Sequence, residues 1–240
     1  MNRKKSTSIR NQALALTTLL GVIAVAHADG AATPYAKMAP VAEYLMPEKD
    51  EIALARSAAP AAISDNATVV VLKQHGYETA VKGKNGFVCI VERSWMAQFD
   101  FPEYWNPKMH GAICFNGPAV RTVLPYTYKR TAMILAGVPK EEVIERLKQV
   151  VAKKEVPALE AGAMCYMMSR NQYLNDKGVH WHPHLMFYGT KSATEDWGND
   201  VPNSPVMLNA QFQTAPEPLV TYMVVVDQWS DGTPAPIHSM

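Results

Sequence analysis

The chain has 240 residues, of which 23 are Lys or Arg and 22 are Asp or Glu, so its formal net charge is +1. Beyond residue 28 the chain is nearly neutral and has no basic runs, so it is a poor binder of phosphate backbones and we expect no nucleic-acid partner. In the same part no stretch approaches the roughly 18 consecutive apolar residues of a membrane-spanning helix, so no span is expected there.

Residues 1–28 have the composition of a signal peptide. Four basic residues precede a mostly apolar run over 13–26, and Ala26-His27-Ala28 supplies the small-x-small pattern that a signal peptidase cuts. We predict export to the periplasm or the cell exterior, with cleavage after Ala28. Cleavage would remove four basic residues and no acidic ones, so the net charge would change from +1 to −3. A retained membrane anchor is the alternative.

The remaining chain is predicted to contain one folded domain. Residues 29–46 begin with a segment rich in Ala, Pro and Gly and are interpreted as a flexible lead-in. Residues 47–240 show no internal repeat, which argues against a solenoid or a propeller. We therefore predict a single globular domain over 47–240.

The first elements of this domain are predicted to be a helix and three strands. Pro47 and the acidic residues after it favour a helix that ends before Pro60. Residues 67–72, 77–82 and 87–92 are rich in β-branched and aromatic residues and are typical of strands. The last two are separated by Gly83-Lys84-Asn85-Gly86, in which Asn-Gly indicates a hairpin. An antiparallel meander is the expected result.

The middle of the chain is predicted to be helical and the last third to return to strands. Residues 126–136 and a segment beginning at Pro139 are predicted helices that form an αα-hairpin. Residues 163–168 fit either a strand or a helix, while 184–188 and 219–229 fit strands. The predicted fold class is α+β: an antiparallel sheet, built from the N-terminal meander and the C-terminal strands, with helices on one side and the αα-hairpin packed on that face.

Residues 98–118 form a segment that is unusually rich in aromatic side chains. Long aromatic loops can form one wall of a binding site. The simpler interpretation is a surface loop that packs on its own rings. Both alternatives remain open from the sequence.

Three cysteines follow the predicted cleavage point. An odd number in an oxidising compartment suggests one disulfide and one buried thiol. We predict a Cys89–Cys114 bridge, which would close a loop of about 25 residues and stabilise the fold by about 3 kcal/mol. Three reduced cysteines, Cys165 included, are the alternative.

Residues 180–184 concentrate three histidines, His180, His182 and His184. In an extended strand, residues two apart point to the same side, so His182 and His184 could bind one Zn or Cu ion together with a distant ligand such as His110. The alternative is that these histidines lie on a surface turn. Residues 164–168 also contain soft sulfur ligands that suit Cu(I), but an extended backbone would divide them between two faces, so core filling is the simpler interpretation.

Three segments carry a resemblance to a known family: Ser57-Ala58-Ala59-Pro60, Asn85-Gly86-Phe87-Val88-Cys89 and Pro183-His184-Leu185-Met186-Phe187. Together they resemble an uncharacterised family of exported bacterial proteins that has no assigned activity. The resemblance therefore implies a complete single-domain module, and it contributes no catalytic residues.

No sequence motif specifies a reaction. The chain contains neither G-x-S-x-G nor H-E-x-x-H, and it lacks both common nucleotide-binding glycine motifs. We expect an exported soluble protein that binds a small ligand or a metal ion, with catalytic residues unassigned. The first alternative is a metal-assisted hydrolase that uses the same histidines. The second is an envelope interaction module whose tryptophans Trp95, Trp105 and Trp181 contact a protein partner.

Overall fold

A computed structural model describes residues 34–177, 182–193, 197–209 and 215–235. The predicted signal peptide, residues 29–33 of the lead-in, His180 and Trp181 lie outside the described residues. All the described residues belong to one compact unit.

The described residues form five α-helices, three short 3-10 helices and eight strands. The α-helices are α1 (Glu48–Arg56), α2 (Ala61–Ser64), α3 (Gly117–Thr122), α4 (Leu124–Leu135) and α5 (Lys140–Ala152). The 3-10 helices are Val41–Tyr44, Ser94–Met96 and Lys191–Ala193. The strands are β1 (Thr68–Lys73), β2 (Gly76–Val81), β3 (Val88–Arg93), β4 (His110–Phe115), β5 (Met164–Met167), β6 (His184–Gly189), β7 (Val206–Leu208) and β8 (Val220–Val225). In this part of the chain no helix is both long enough and apolar enough to cross a bilayer.

The eight strands form one sheet in the order β2-β1-β3-β4-β5-β6-β8-β7. Among these strands β1 and β3 pair in parallel, and every other neighbouring pair is antiparallel. The predicted α+β class is confirmed, and the predicted antiparallel sheet holds except at the β1–β3 pair.

The predicted hairpin between residues 77–82 and 87–92 is wrong, because β1 lies between β2 and β3. Residues 69–72 of β1 are buried on both faces, whereas the middle of β2 is exposed. The apolar strand therefore takes the interior position and the polar strand takes the edge. The segment that carries Asn85-Gly86 crosses the start of β1 instead of turning back into a hairpin. The Gly83 amide donates to Thr68 Oγ1 over 3.0 Å, and the Lys84 amide donates to the Asn66 carbonyl over 2.8 Å.

Helices cover both faces of the N-terminal half of the sheet, and not one side only as predicted. On one face, Ala55 of α1 packs with the odd-numbered side chains of β3 and the even-numbered ones of β4. On the other face, residues of α3 and α4 pack against the alternate side chains, including Ile90 and Ile113. The two faces are called here the α1 face and the α4 face. Alternation of side chains along each strand assigns every sheet residue to one of them.

A buried cluster joins α4 and α5 to the sheet. Ile134 of α4 and Leu147 of α5 belong to the same cluster as Leu72 of β1 and Trp95. The Trp95 indole donates to Thr131 Oγ1 of α4 over 3.0 Å. These contacts fix the short Ser94–Met96 helix against α4, and this helix forms one wall of the cavity described below.

The described part of the predicted lead-in contacts the domain. Tyr44 is fully buried, its ring lies 4.9 Å from that of Trp95, and its hydroxyl donates to the Trp105 carbonyl over 2.8 Å. Residues 41–46 are thereby attached to the hydrophobic core.

The predicted cysteine arrangement is confirmed. Cys89 of β3 and Cys114 of β4 are directly opposite each other in the ladder, and a disulfide joins them. Cys165 of β5 is a buried free thiol. The bridge lies on the α1 face, under Ala55 and Ala58.

Candidate functional site

The α4 face of the sheet contains a cavity of about 250 Å³. Its floor is formed by strands of the central and C-terminal part of the sheet, and its wall by the Ser94–Met96 helix and the loop that follows. Five methionines dominate the lining, beside two other bulky apolar side chains and a few polar groups. The methionines are Met96, Met109, Met167, Met186 and Met223. The other bulky apolar side chains are Phe101 and Leu174. The charged and polar groups are Glu92, Arg93, Gln98, Asn175, His184 and Asn209.

The sheet register brings three of these methionines together. Met186 of β6 is directly paired with Met223 of β8, and Met167 of β5 is directly paired with His184 of β6. His184 and Met186 are two residues apart in one strand and therefore share the α4 face. The cavity floor is thus a continuous patch of three thioethers and one imidazole. The spacing of His184 and Met186, two residues apart in a strand-like run, is the one sequence signal that predicts part of this patch.

Glu92 of β3 is the carboxylate of the cavity wall. Its Oε1 accepts a hydrogen bond from Thr127 Oγ1 over 3.3 Å. Burial raises the pKa of Glu92 to about 7, although the Thr127 hydrogen bond and the charge of Arg130 act in the opposite direction. Near pH 7 this carboxyl therefore exchanges between its protonated and ionised forms and can either donate or accept a hydrogen bond.

His184 presents a neutral imidazole to the cavity. Its Nδ1 lies 2.8 Å from the carbonyl oxygen of His182, so the tautomer that donates from Nδ1 fits this contact and leaves Nε2 as the lone-pair nitrogen. Burial lowers the pKa of His184, and the hydrogen bond to His182 opposes that shift only in part. The ring is therefore uncharged at neutral pH.

A second, smaller cavity of about 90 Å³ adjoins the first and shares Glu92, Met96 and Met186 with it. Its lining includes a buried ion pair in which Arg130 Nη2 and Glu217 Oε1 are 2.5 Å apart. The same guanidinium donates to the carbonyls of Trp95 and Ala97. Arg130 thus holds the cavity wall in place through contacts within the protein.

Cys165 and Tyr188 form a hydrogen-bonded pair on the same face, with the thiol sulfur 3.1 Å from the hydroxyl oxygen. Burial raises the pKa of the Cys165 thiol far above neutrality. A buried protonated thiol is a weak nucleophile, so this pair is interpreted as part of the packing beneath the cavity.

No family model, no curated protein and no solved structure that was compared with this chain matches it. We therefore infer function from the cavity and its chemistry.

The sheet register separates two of the three histidines of the predicted metal site. His184 lies on the α4 face with Met186, while the register of β4 places His110 on the α1 face with Ala112. Burial and the charge of Arg93 lower the pKa of His110 to about 4. Across residues 34–177 and the described segments after them, no group of three or more His, Cys, Asp or Glu side chains could hold a metal ion. The site formed by His182, His184 and His110 is therefore unsupported.

One ring of the aromatic segment lines the cavity, namely Phe101. The rings of Phe99, Tyr104 and Trp105 contact one another instead, with centroid separations of 5.7 Å and 4.7 Å along that series. The segment thus combines both interpretations of the sequence: it packs on itself and also contributes one wall residue.

Proposed function

We propose that this protein is an exported binding module that holds a small ligand in the methionine-lined cavity of the α4 face. The observation that carries the proposal is the cavity itself: about 250 Å³ lined by side chains from many separate elements of the fold. The proposal assigns no catalysis, because Glu92 and His184 are suited to orienting a ligand and none of the described residues beside them is an activated nucleophile.

The size of the cavity supports this role. An apolar cavity of about 150 Å³ already suffices to bind benzene. Pockets for drug-sized molecules measure about 300–1,000 Å³. A volume of about 250 Å³ therefore suits a ligand smaller than a typical drug.

The lining supports a soft, mostly apolar ligand. Methionine side chains are flexible and polarisable, so they adapt to a guest and contact it through dispersion. Glu92 and the neutral imidazole of His184 supply a small number of polar contacts, the arrangement typical of ligand sites. A ligand that carries a hydrogen-bonding or cationic group beside Glu92 fits best.

The proposal also includes export of the protein and an αα-hairpin in its fold. Export is supported by the signal-like composition of residues 1–28 and by the Cys89–Cys114 disulfide, because disulfides persist in oxidising compartments. An αα-hairpin made by α4 and α5 on the α4 face is supported by Gly137, whose φ of +75° permits the chain to turn between the two helices.

The test measures binding of indole, benzyl alcohol and hexylamine by ligand-observed NMR and by thermal shift. Gly111 is the position for a blocking variant, because a Cβ there would lie 3.5 Å from Leu174 and 3.6 Å from Met167, in ordinary contact on the cavity floor. We expect at least one probe to bind the parent, Gly111→Ala to weaken it slightly and Gly111→Leu to abolish it.

Circular dichroism of both variants controls for folding. The proposal is wrong if the parent binds none of the three probes and neither Cu(I) nor Ag(I), or if a probe binds the folded Gly111→Leu variant as tightly as the parent.

A further inference from the structure

We propose that the ligand of this cavity is a soft monovalent metal ion, copper(I), held by the thioethers of Met167, Met186 and Met223 together with the imidazole of His184. This inference rests on the proposed binding role of the cavity and names the chemistry of its ligand.

The first argument is the arrangement of sulfur atoms across the sheet. Met186, Met223 and Met207 are paired in succession across β6, β8 and β7, so they form one row on the α4 face. The Met167–His184 pair lies in the adjoining row. A methionine thus occupies the same row in three neighbouring strands.

The second argument is reach. Directly paired residues have Cβ atoms about 4.5–5.5 Å apart, and residues two apart in one strand are about 6.6 Å apart. Both spacings occur here, between Met186 and Met223 and between His184 and Met186. A methionine side chain has three rotatable bonds, so sulfurs at these positions can converge on one ion between them.

The third argument is the match between donors and ion. Thioethers are soft ligands and select Cu(I), whereas Zn²⁺ prefers thiolates, imidazoles and carboxylates. The described residues offer no cluster of three or more of those harder donors. Five of the 13 methionines nevertheless line this one cavity. Two of them, Met186 and Met223, are directly paired across β6 and β8, and Met167 is directly paired with His184.

The fourth argument is how His184 is held. Its Nδ1 lies 2.8 Å from the His182 carbonyl, and a hydrogen bond of this kind fixes the tautomer and ring orientation of histidines that bind metals through Nε2. Glu92 stands in the wall of the same cavity. In its ionised form it would balance the single positive charge of the ion.

The test is an anaerobic competition titration of the purified protein against the coloured complex of Cu(I) with bathocuproine disulfonate. No thiol reductant is added, because reduction of Cys89–Cys114 would create two copper-binding thiols. We expect the parent to withdraw one Cu(I) per chain. The double variant Met186→Leu/Met223→Leu should lose affinity by at least ~100-fold, since it keeps side-chain volume and removes two ligands.

Met164→Leu is the matched control, because Met164 lies in β5 but on the opposite face to Met167. It should bind Cu(I) like the parent. Cys165→Ala should also bind like the parent, since Cys165 is not among the proposed ligands. The inference is overturned if the parent withdraws no Cu(I), if the double variant keeps its affinity, or if either control weakens binding to the same extent.

A second measurement needs no variant. Ag(I), a surrogate for Cu(I), is titrated into protein labelled at the methionine methyl groups. The methyl resonances of Met167, Met186 and Met223 should shift and that of Met164 should not. Binding of indole or hexylamine without binding of Cu(I) or Ag(I) would overturn the metal inference and leave the proposed function standing. If none of these ligands binds, both the metal inference and the proposed function are overturned.

Discussion

Glu51 of α1 and Arg93 of β3 form an ion pair, with 2.9 Å between Oε1 and Nη2, and both side chains are completely buried. Glu51 Oε1 also accepts the Leu72 amide over 3.0 Å, and Arg93 Nε donates to the Tyr44 carbonyl over 2.8 Å. The pair therefore connects α1, β1, β3 and the segment before α1. It also fixes the end of β3 beside Glu92, in the cavity wall.

Arg93→Met should destabilise the protein by about 3–5 kcal/mol, because it leaves the Glu51 carboxylate buried without its cation. Urea unfolding monitored by circular dichroism measures the change. The matched control is Lys73→Met, which breaks an ion pair with Glu48 whose two side chains are 39% and 54% exposed. Lys73→Met should lower the free energy of unfolding by at most about 1 kcal/mol. Equal losses in the two variants would contradict the buried role of Arg93.

Replacing both Cys89 and Cys114 by Ala should lower the free energy of unfolding by about 3 kcal/mol, since the bridge closes a loop with a sequence separation of 25 residues. A reductant should lower the melting temperature of the parent and leave that of the double variant unchanged. Cys165→Ala serves as the control, because Cys165 is a free thiol. This variant should respond to reductant like the parent; a lost response would indicate a different pairing.

Gly83→Ala should destabilise the fold by about 1–3 kcal/mol through overpacking. A Cβ at residue 83 would collide with the backbone nitrogen of Thr68 and lie 2.5 Å from the Asn66 carbonyl oxygen. Backbone atoms cannot rotate away, so the crossing over β1 would have to open. Gly111→Ala is the comparison, since its Cβ would meet only side chains at 3.5 Å or more. Chemical denaturation should show a small change for Gly111→Ala, within about 1 kcal/mol; a similarly small change for Gly83→Ala would argue against the crossing.

Glu92 and His110 should give opposite dependences of stability on pH. The pKa of Glu92 is raised from 4.5 to about 7, so the folded protein keeps a proton that the unfolded chain releases. The free energy of unfolding then falls as pH rises between these values, by at most about 3 kcal/mol. The pKa of His110 is lowered from 6.5 to about 4, so the unfolded chain takes up a proton first. The contribution of His110 to the free energy of unfolding is therefore lost as pH falls from 6.5 to about 4.

Unfolding measured from pH 4 to pH 8 in Glu92→Gln and His110→Gln separates the two contributions. Relative to the parent, Glu92→Gln should gain stability as pH rises from 4.5 to 7, and His110→Gln should gain it as pH falls from 6.5 to 4. Parallel profiles for all three proteins would contradict both shifted pKa values.

Local features could be predicted because local residues decide them. The helix after Pro47 is α1, and the valine-rich run at 67–72 is β1. The Cys89–Cys114 pairing was also predictable, because two of the three cysteines lie in apolar strand-like runs separated by a turn-rich segment. In each case a few neighbouring side chains determine backbone preference or burial.

The order of the strands could not be read from Asn85-Gly86, although the pair does form a turn in which Gly86 has a φ of +78°. A turn preference specifies a change of chain direction and does not specify which strand becomes the neighbour. That choice depended on burial, because β1 is apolar on both sides and excludes the polar β2 from the interior.

The candidate site was the least predictable feature. The sequence by itself determined the leader-like composition and the α+β class, both of which depend on short-range pattern. Only the tertiary structure decided that Met167, Met186, Met223 and His184 share one cavity and that His110 faces the other way. Strand register sets which face each side chain occupies, and register is fixed by the packing of the whole sheet.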